Sequence, residues 1–436
     1  MSEHINNRQM LAKERYSLSD VSISVQDTLG RVTVSDFAYY LALGTWIFFN
    51  ILHMSFFATR MLSLYRYVRL ACIVIVLFSE AARMRITPKS LVAMFALLAL
   101  VLIAWHINQK VQIDALIFIW GARNRNRRSL LTVPLLSMTA AFLLVLFAAR
   151  AGVITNYFEI TYSGRRREYL GFRYALYPSA AMLGITCAGV CLARDKGYVK
   201  TLLFLAVANW LVYDRTNSRL SFILALLVVI LSLIYRSTEH GFLRGKTFGV
   251  IARSSFVVCA AVSIFLTLNY RPDSELMLSL NQTLGSRLRL GQMAFQRYRM
   301  TLLGTSMSGD VVGNGLNVYG EHVAGDYFYI DCLYVRFLLE GGLLLFIAYL
   351  AAMTFLMREA WSSQDHVLVG VLFCLALHGL VDNLMMNLFY NPMLLLAGAM
   401  LSESLSTTIR VRHGKSPLEQ DRALATGYQS RLGRLQ

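Results

Sequence analysis

Charge is scarce in this chain. Only 15% of the 436 residues are Asp, Glu, Lys or Arg, whereas 56% are hydrophobic. In an average soluble domain about a quarter of the residues are charged, so this composition excludes an ordinary soluble fold. The apolar residues gather in runs that reach, or nearly reach, the length needed to cross a bilayer of roughly 30 Å. The sequence therefore predicts a polytopic membrane protein.

The chain also lacks the usual marks of redox chemistry, metal binding and repeats. Its six cysteines lie in or beside apolar runs, without a CxxC pair or a histidine at metal-ligand spacing. We therefore expect small packing residues, and neither a metal nor another cofactor. There are no heptads, low-complexity tracts or repeats, and the two halves differ in loop length, unlike those of an inverted-repeat transporter.

No cleavable signal peptide is visible, because residues 1–35 are polar and the first apolar run already has the length of a membrane span. Only helices satisfy their own backbone hydrogen bonds in lipid, so we predict an all-α fold of about twelve transmembrane helices. The predicted spans are 36–57, 66–82, 88–106, 110–122, 130–150, 175–193, 199–213, 217–235, 248–268, 330–357, 366–389 and 391–405.

The charge of the loops predicts the orientation of these spans. With both termini in the cytoplasm, the basic connectors and the basic C-terminal tail fall on the cytoplasmic side, where membrane proteins usually collect Lys and Arg. Arg60, Arg66 and Arg69 fall outside and oppose this topology. Orientation and anionic lipid account for the net charge of +17, so no nucleic-acid partner is expected.

This topology divides the chain into a cytoplasmic segment 1–35, a transmembrane domain 36–405 and a basic cytoplasmic tail 406–436. The two longest connectors, 151–174 and 269–329, both face outward, and the second is predicted to fold as an outer cap. Connectors of that length are usually functional or disordered, and neither is of low complexity.

Arginines gather in the first outer loop, where Arg165, Arg166 and Arg167 precede Arg173. Guanidinium groups bind phosphate oxygens bidentately, whereas lysine offers a point charge, so the cluster predicts an anionic headgroup such as a diphosphate. A genome that favours arginine codons is an alternative explanation of the bias.

Three further polar groups interrupt the apolar runs. Arg219 ends the hexamer that begins at Asp214 and either borders a headgroup site or belongs to a solvated turn. Asp331 and Tyr334 are predicted on one helical face at the entrance of a span, while Arg336 and Glu340 share another face and neutralise each other.

His378 and Asp382 are spaced to share one face of a helix inside the membrane. Ionisable residues there are costly and usually functional. The pair is either a general base held by a carboxylate or a buried lock between two helices.

The polar groups form an ordered series over about 250 residues, roughly residues 150–400. The series comprises Arg-x-x-Leu-Gly-Phe at 167–172, Ser-Arg at 218–219, Gly-x-Arg at 285–287, Leu-Leu-Gly-Thr at 302–305, Asp-x-x-Tyr-x-Arg-x-Leu-Leu-Glu-x-Gly at 331–342, His-Gly-x-x-Asp-Asn at 378–383 and Tyr-Asn-Pro at 390–392. It resembles the Wzy-type polymerases of bacterial O-antigen, capsule and exopolysaccharide, within the O-antigen ligase-like superfamily. The His-Pro-Asn often seen after Gly-Phe in that family is absent, and residues 173–178 stand in its place.

The resemblance implies a fold similar to the helical, lipid-facing GT-C class of glycosyltransferases. The implied reaction transfers an undecaprenyl-diphosphate-linked glycan to a lipid-linked repeat unit at the outer face of the bacterial cytoplasmic (inner) membrane, without a cofactor. The implied partners are undecaprenyl-diphosphate-linked oligosaccharides, the lipid bilayer, a flippase and a chain-length regulator.

Residue roles follow from the same resemblance. His378 with Asp382 would be the base, and Asp331 and Tyr334 would position the acceptor sugar. The arginines assigned to substrate are Arg165, Arg166, Arg167, Arg173, Arg219, Arg287 and Arg289. A flippase or transporter for the same lipid-linked oligosaccharide would also need outward arginines, and an O-antigen ligase would share the donor chemistry, so both stay as alternatives.

Overall fold

The computed structural model describes residues 33–83, 88–160, 164–193, 197–237, 241–307 and 309–399. The helices are α1 Val34–His53, α2 Ala58–Arg83, α3 Pro88–His106, α4 Lys110–Gly121, α5 Arg127–Arg150, α6 Leu176–Leu192, α7 Tyr198–Thr216, α8 Arg219–Ser237, α9 Lys246–Leu268, α10 Glu275–Thr283, α11 Arg287–Arg297, α12 Leu333–Ser362 and α13 His366–His378. Short 3₁₀ turns follow at Phe242–Arg244 and Leu384–Met386, and residues 393–399 are helical again. Most of the predicted segment 1–35 and the tail 406–436 lie outside the described residues.

The prediction of a helical membrane protein is confirmed at this level. Within the described ranges, five helices are long and apolar enough to cross a membrane, namely α2, α5, α8, α9 and α12. Shorter apolar helices cover 91–106, α6 and α13. Every predicted span overlaps a helix, but α4 has only 12 residues and rises about 18 Å, less than the roughly 30 Å of a bilayer core.

The helices form one bundle around a continuous apolar core. The helix α1 packs against α2 and α5, while α8 packs against α6, α7 and α13, and α9 against α12. Trp46 is fully enclosed between the rings of Phe118 and Phe389. These aromatic side chains connect the first helix of the bundle to its last turns.

The two outward-predicted connectors meet at one end of the bundle, which we call the outer end. Arg173 donates to the carbonyls of His53 and Leu316, and the Leu333 amide donates to the Gly379 carbonyl at 2.9 Å. At the opposite, inner end, Arg125 pairs with Glu80 at 2.5 Å and with Asp36 at 3.4 Å. The long connectors are therefore separated from the basic connectors, although which end faces the cytoplasm stays a prediction.

The predicted continuous helix 366–389 is wrong, because α13 ends at His378. Beyond that residue, the carbonyls of Gly379 and Val381 accept hydrogen bonds from Leu333 and Arg287 instead of from the next helical turn. A chain in an apolar environment leaves the helix only where neighbours satisfy its backbone in this way. The Asp382 amide still donates to the His378 carbonyl at 3.0 Å, but the helix does not extend from this turn to residue 389.

A second break lies within α12 at Gly342, whose φ of +74° is in the left-handed region. The outer segment 301–305 fills this break. The Thr305 amide donates to the Glu340 carbonyl at 3.1 Å, and the Leu343 amide donates to the Thr301 carbonyl at 3.0 Å. Two motifs that were separate in the sequence, Leu-Leu-Gly-Thr and Glu-x-Gly, thus form one joint between the cap and the helix.

The all-α prediction also misses a two-stranded sheet in the first outer connector. The strands β1 Phe158–Ile160 and β2 Arg166–Glu168 are antiparallel, and Glu159 stands opposite Arg167. Opposite charges across a strand pair are stabilising, and a strand edge is permitted where the chain lies outside lipid.

Candidate functional site

Side chains from three connectors and from the first turn of α12 meet at the outer end in a group that we call the outer polar cluster: Arg173, Arg287, Asp331, Arg336, Asp382 and the neighbouring tyrosines. Asn383 holds part of it together, because its amide donates to the Ile330 carbonyl at 2.7 Å and its oxygen accepts from the Tyr329 hydroxyl at 3.3 Å. The sequence motifs at 285–287, 331–342 and 378–383 thus converge.

Arg287 is the first residue of α11 and is held by backbone carbonyls. Its Nε donates to the Val381 carbonyl and its Nη1 to the Leu284 carbonyl, both at 2.7 Å. The Asp331 carboxylate lies 3.7 Å from Nε, and the two side chains keep 24% and 13% of their surface exposed. Both groups are therefore positioned and still reachable from the outer end.

Asp331 lies in the connector that precedes α12. Burial raises the pKa of its carboxyl from the ordinary 3.8 to about 6, with Arg287 lowering the pKa and Asp382 raising it. A carboxyl that titrates near neutral pH is suited to accept a proton during a reaction. Asp331 is consequently a stronger base candidate than its sequence position at a helix entrance suggested.

Arg173 is the least compensated cation of the cluster. It is buried, its Nη1 donates to the Leu316 carbonyl at 3.0 Å, and its Nη2 donates to the His53 carbonyl at 2.8 Å. Its Nε has no hydrogen-bond partner, and no carboxylate within the described residues forms an ion pair with it. Burial lowers the pKa of this guanidinium, so an anion bound beside it would be favoured.

Arg336 forms the predicted ion pair with Glu340 at 2.9 Å. Its guanidinium also lies over the Tyr329 ring, 5.0 Å from the centroid, and Gln109 donates to the other oxygen of Glu340. Because its charge is already neutralised, Arg336 is less available to a bound anion than Arg173 is.

Tyrosines surround these charges, and sequence reasoning missed them. The hydroxyl of Tyr177 interacts electrostatically with Arg173, Arg336 and Asp382. Tyr390 is fully buried with an unpartnered hydroxyl and interacts with the same Arg173. The others are Tyr174, Tyr327 and Tyr329. The only available signal was the density of tyrosine in the outer connectors.

Two predicted site residues are enclosed instead of open to a ligand. His378 is 0% exposed, and neither ring nitrogen has a hydrogen-bond partner. Tyr334 is also 0% exposed, and its hydroxyl donates to the Ala376 carbonyl at 2.8 Å. The Asp382 carboxylate accepts from the Leu384 amide at 2.7 Å and caps the 3₁₀ turn. These contacts hold the start of α12 against the end of α13 at the outer end.

The remaining predicted arginines lie around the hairpin and on the surface. Arg166 is exposed and stacks over Phe158, while Arg167 is half-buried opposite Glu159. Arg165 directly precedes β2. Arg219 and Arg289 are exposed at the first turns of α8 and α11. The sequence cluster 165–173 therefore separates into hairpin arginines and one buried arginine, Arg173.

Within the described ranges, no group of three or more His, Cys, Asp or Glu side chains is placed to hold a metal ion. The chain matches no protein-family model, no curated protein and no solved structure.

Proposed function

We propose that this protein is a polysaccharide repeat-unit polymerase, a glycosyltransferase that uses a lipid-diphosphate-linked glycan as donor. The observation that carries the proposal is the buried, uncompensated guanidinium of Arg173 in the outer polar cluster. Burying a charge is costly without a partner, and a diphosphate would supply that partner at each turnover.

In the proposed step, the bond between the anomeric carbon and the diphosphate oxygen breaks and its electron pair leaves with the diphosphate. The acceptor oxygen bonds to the anomeric carbon, and its proton passes to Asp331. Arg173 and Arg287 stabilise the negative charge that grows on the leaving group, which is where preorganised cations have the greatest effect.

Asp331 takes the role of base in this proposal in place of His378. Its carboxylate retains 13% exposure beside Arg287, whereas the His378 ring is completely enclosed. Because a base must lie within hydrogen-bond reach of the acceptor hydroxyl, exposure favours Asp331. His378 and Asp382 then act as structural residues, the second of the two roles that the sequence left open.

The tyrosine of the cluster that is open to solvent, Tyr327, would receive a sugar. An aromatic ring offers an apolar face and a polar hydroxyl, which suits the alternating apolar and polar surface of a pyranose. Tyr327 is 44% exposed and borders Asp331, so it is the first candidate for contact with the acceptor.

The test is incubation of the purified protein in nanodiscs with undecaprenyl-diphosphate-linked repeat unit alone, followed by electrophoresis. The proposal expects a ladder of polymer, its loss in Arg173→Ala, and its retention in the control Arg271→Ala, which changes an exposed arginine of the second outer connector. A full ladder from correctly folded Arg173→Ala would overturn the role of this arginine. Movement of labelled lipid across liposomes without any ladder would favour the transporter instead.

A further inference from the structure

A separate cavity opens at the inner end of the bundle, opposite the outer polar cluster. It encloses about 300 Å³, which is at the lower end of the range for small-ligand sites. It lies where α5 begins, α6 ends and α12 turns into α13. Its lining residues are Arg127, Arg128, Leu131, Cys191, Leu192, Ser363, Asp365, Leu368 and Leu396.

The walls of this inner pocket belong to the core of the bundle. Leu131, Leu368 and Leu396 are 6%, 3% and 2% exposed and are part of the continuous apolar core. The pocket therefore extends between the helices and has an apolar interior. A ligand that fills it needs an apolar portion as well as a polar end.

The polar end of the pocket carries Arg127 and Arg128, from a connector whose four arginines divide into two pairs. Arg123 and Arg125 contact Glu80 at 3.5 Å and 2.5 Å in the inner ion network. Arg127 and Arg128 border the cavity, so two guanidinium groups lie side by side at its polar end.

Among the lining residues that the structure describes, Asp365 supplies a carboxylate. Its Oδ1 accepts from the Leu368 amide at 3.2 Å and caps the first turn of α13. Among the described lining residues, two guanidinium groups stand beside one carboxylate, a set of side chains that can contact an anionic phosphate. Guanidinium groups bind phosphate oxygens with charge-assisted hydrogen bonds.

We propose that the inner pocket binds the phosphate of an anionic lipid headgroup, with Arg127 and Arg128 at the phosphate and the start of an acyl chain along the leucines. The apolar walls favour a lipid over a soluble phosphate compound, and basic pockets between helix ends are typical sites for anionic headgroups. This inference does not depend on the proposed glycosyl transfer.

The experiment measures binding of phosphatidylglycerol to delipidated full-length protein by native mass spectrometry and by the shift in melting temperature. Phosphatidylcholine and free glycerol phosphate are the comparison ligands. The test variant is Arg127→Gln/Arg128→Gln, and the control is Lys200→Gln/Arg358→Gln, which removes the same charge from exposed positions near the inner end. We expect binding to fall about tenfold in the test variant and to stay unchanged in the control.

Equal losses in both double variants would indicate general attraction to a basic surface and would overturn the proposal. Stabilisation by glycerol phosphate as large as that by phosphatidylglycerol would overturn the lipid assignment. If the arginine variant fails to fold, Leu192→Trp keeps both charges and fills the cavity. Unchanged phosphatidylglycerol binding by that variant would also contradict the proposal.

Discussion

Within the described residues, the hydrogen bonds of the Arg173 guanidinium go to two backbone carbonyls, and this arrangement depends on the shape of a guanidinium. A lysine would keep the charge, but its single ammonium cannot reach the Leu316 and His53 carbonyls in the same fixed geometry. We expect Arg173→Lys to lower the initial rate of polymer formation about a hundredfold, comparable to the loss of one preorganised donor. The rate is measured with the lipid-linked repeat unit, with Arg271→Lys as the exposed control.

An unchanged rate for Arg173→Lys, in protein of normal melting temperature, would show that charge alone is sufficient at this position. A parallel fall in rate and in melting temperature would indicate a packing role.

Asp331 predicts a pH dependence of activity. Burial raises the pKa of this carboxyl to about 6, so the group is protonated below that pH and cannot accept a proton from the acceptor. The rate should rise with pH through about 6 and then level off, and Asp331→Asn should remove activity at every pH. A rate that is flat between pH 5 and 7 would contradict the assignment of Asp331 as base.

The same shift predicts the opposite trend in stability. The folded protein binds the Asp331 proton more tightly than the unfolded chain, because the pKa rises from 3.8 to about 6. The stabilisation from this group is complete below about pH 4 and is lost as the pH rises through about 6. The difference in melting temperature between the wild type and Asp331→Asn, followed from pH 4 to 7, measures this contribution.

The joint between the outer cap and α12 depends on two glycines that lie against each other, Gly304 and Gly342. Gly304 has φ +83°, and a Cβ there would lie 2.1 Å from the Glu340 carbonyl oxygen. Gly304→Ala should therefore destabilise the protein by at least about 2 kcal/mol, from backbone strain together with a clash that the joint cannot relieve. Thermal unfolding in detergent is the measurement.

Gly152→Ala is the matched control for this substitution. Gly152 has a similar φ of +71°, but nothing lies within 4 Å of its would-be Cβ. It should show the strain alone, about 1 kcal/mol. Equal losses in the two variants would mean that the contact with the Glu340 carbonyl is unimportant.

The helix positions could be predicted from sequence, but two of their interruptions could not. Hydropathy identified α12 and α13 because each helix buries apolar side chains along its own length. The break at Gly342 depends on hydrogen bonds with residues 301–305, and the end of α13 at His378 depends on hydrogen bonds from Leu333 and Arg287. These partners are distant in the chain. A local pattern contains no information about such partners.

The predicted topology places the two ends of the bundle on opposite sides of the membrane, and labelling of introduced cysteines tests it. All six cysteines are buried, so an introduced surface thiol should react with little background. In intact cells whose outer membrane is permeabilised, Arg289→Cys should react with a membrane-impermeant maleimide, and Lys200→Cys should react only after the inner membrane is opened. The reverse pattern would invert the predicted topology.

The sequence by itself determined that this is a helical membrane protein, where most of its helices lie, and which connectors are long and rich in arginine. These properties depend on apolar length and local charge, which are additive along the chain. Only the tertiary structure decided which charges are compensated by distant segments: Arg125 meets Glu80, whereas the guanidinium of Arg173 donates to the backbone carbonyls of His53 and Leu316. Compensation depends on contacts between distant segments, and that is why one buried arginine of a four-residue cluster became the centre of the candidate site.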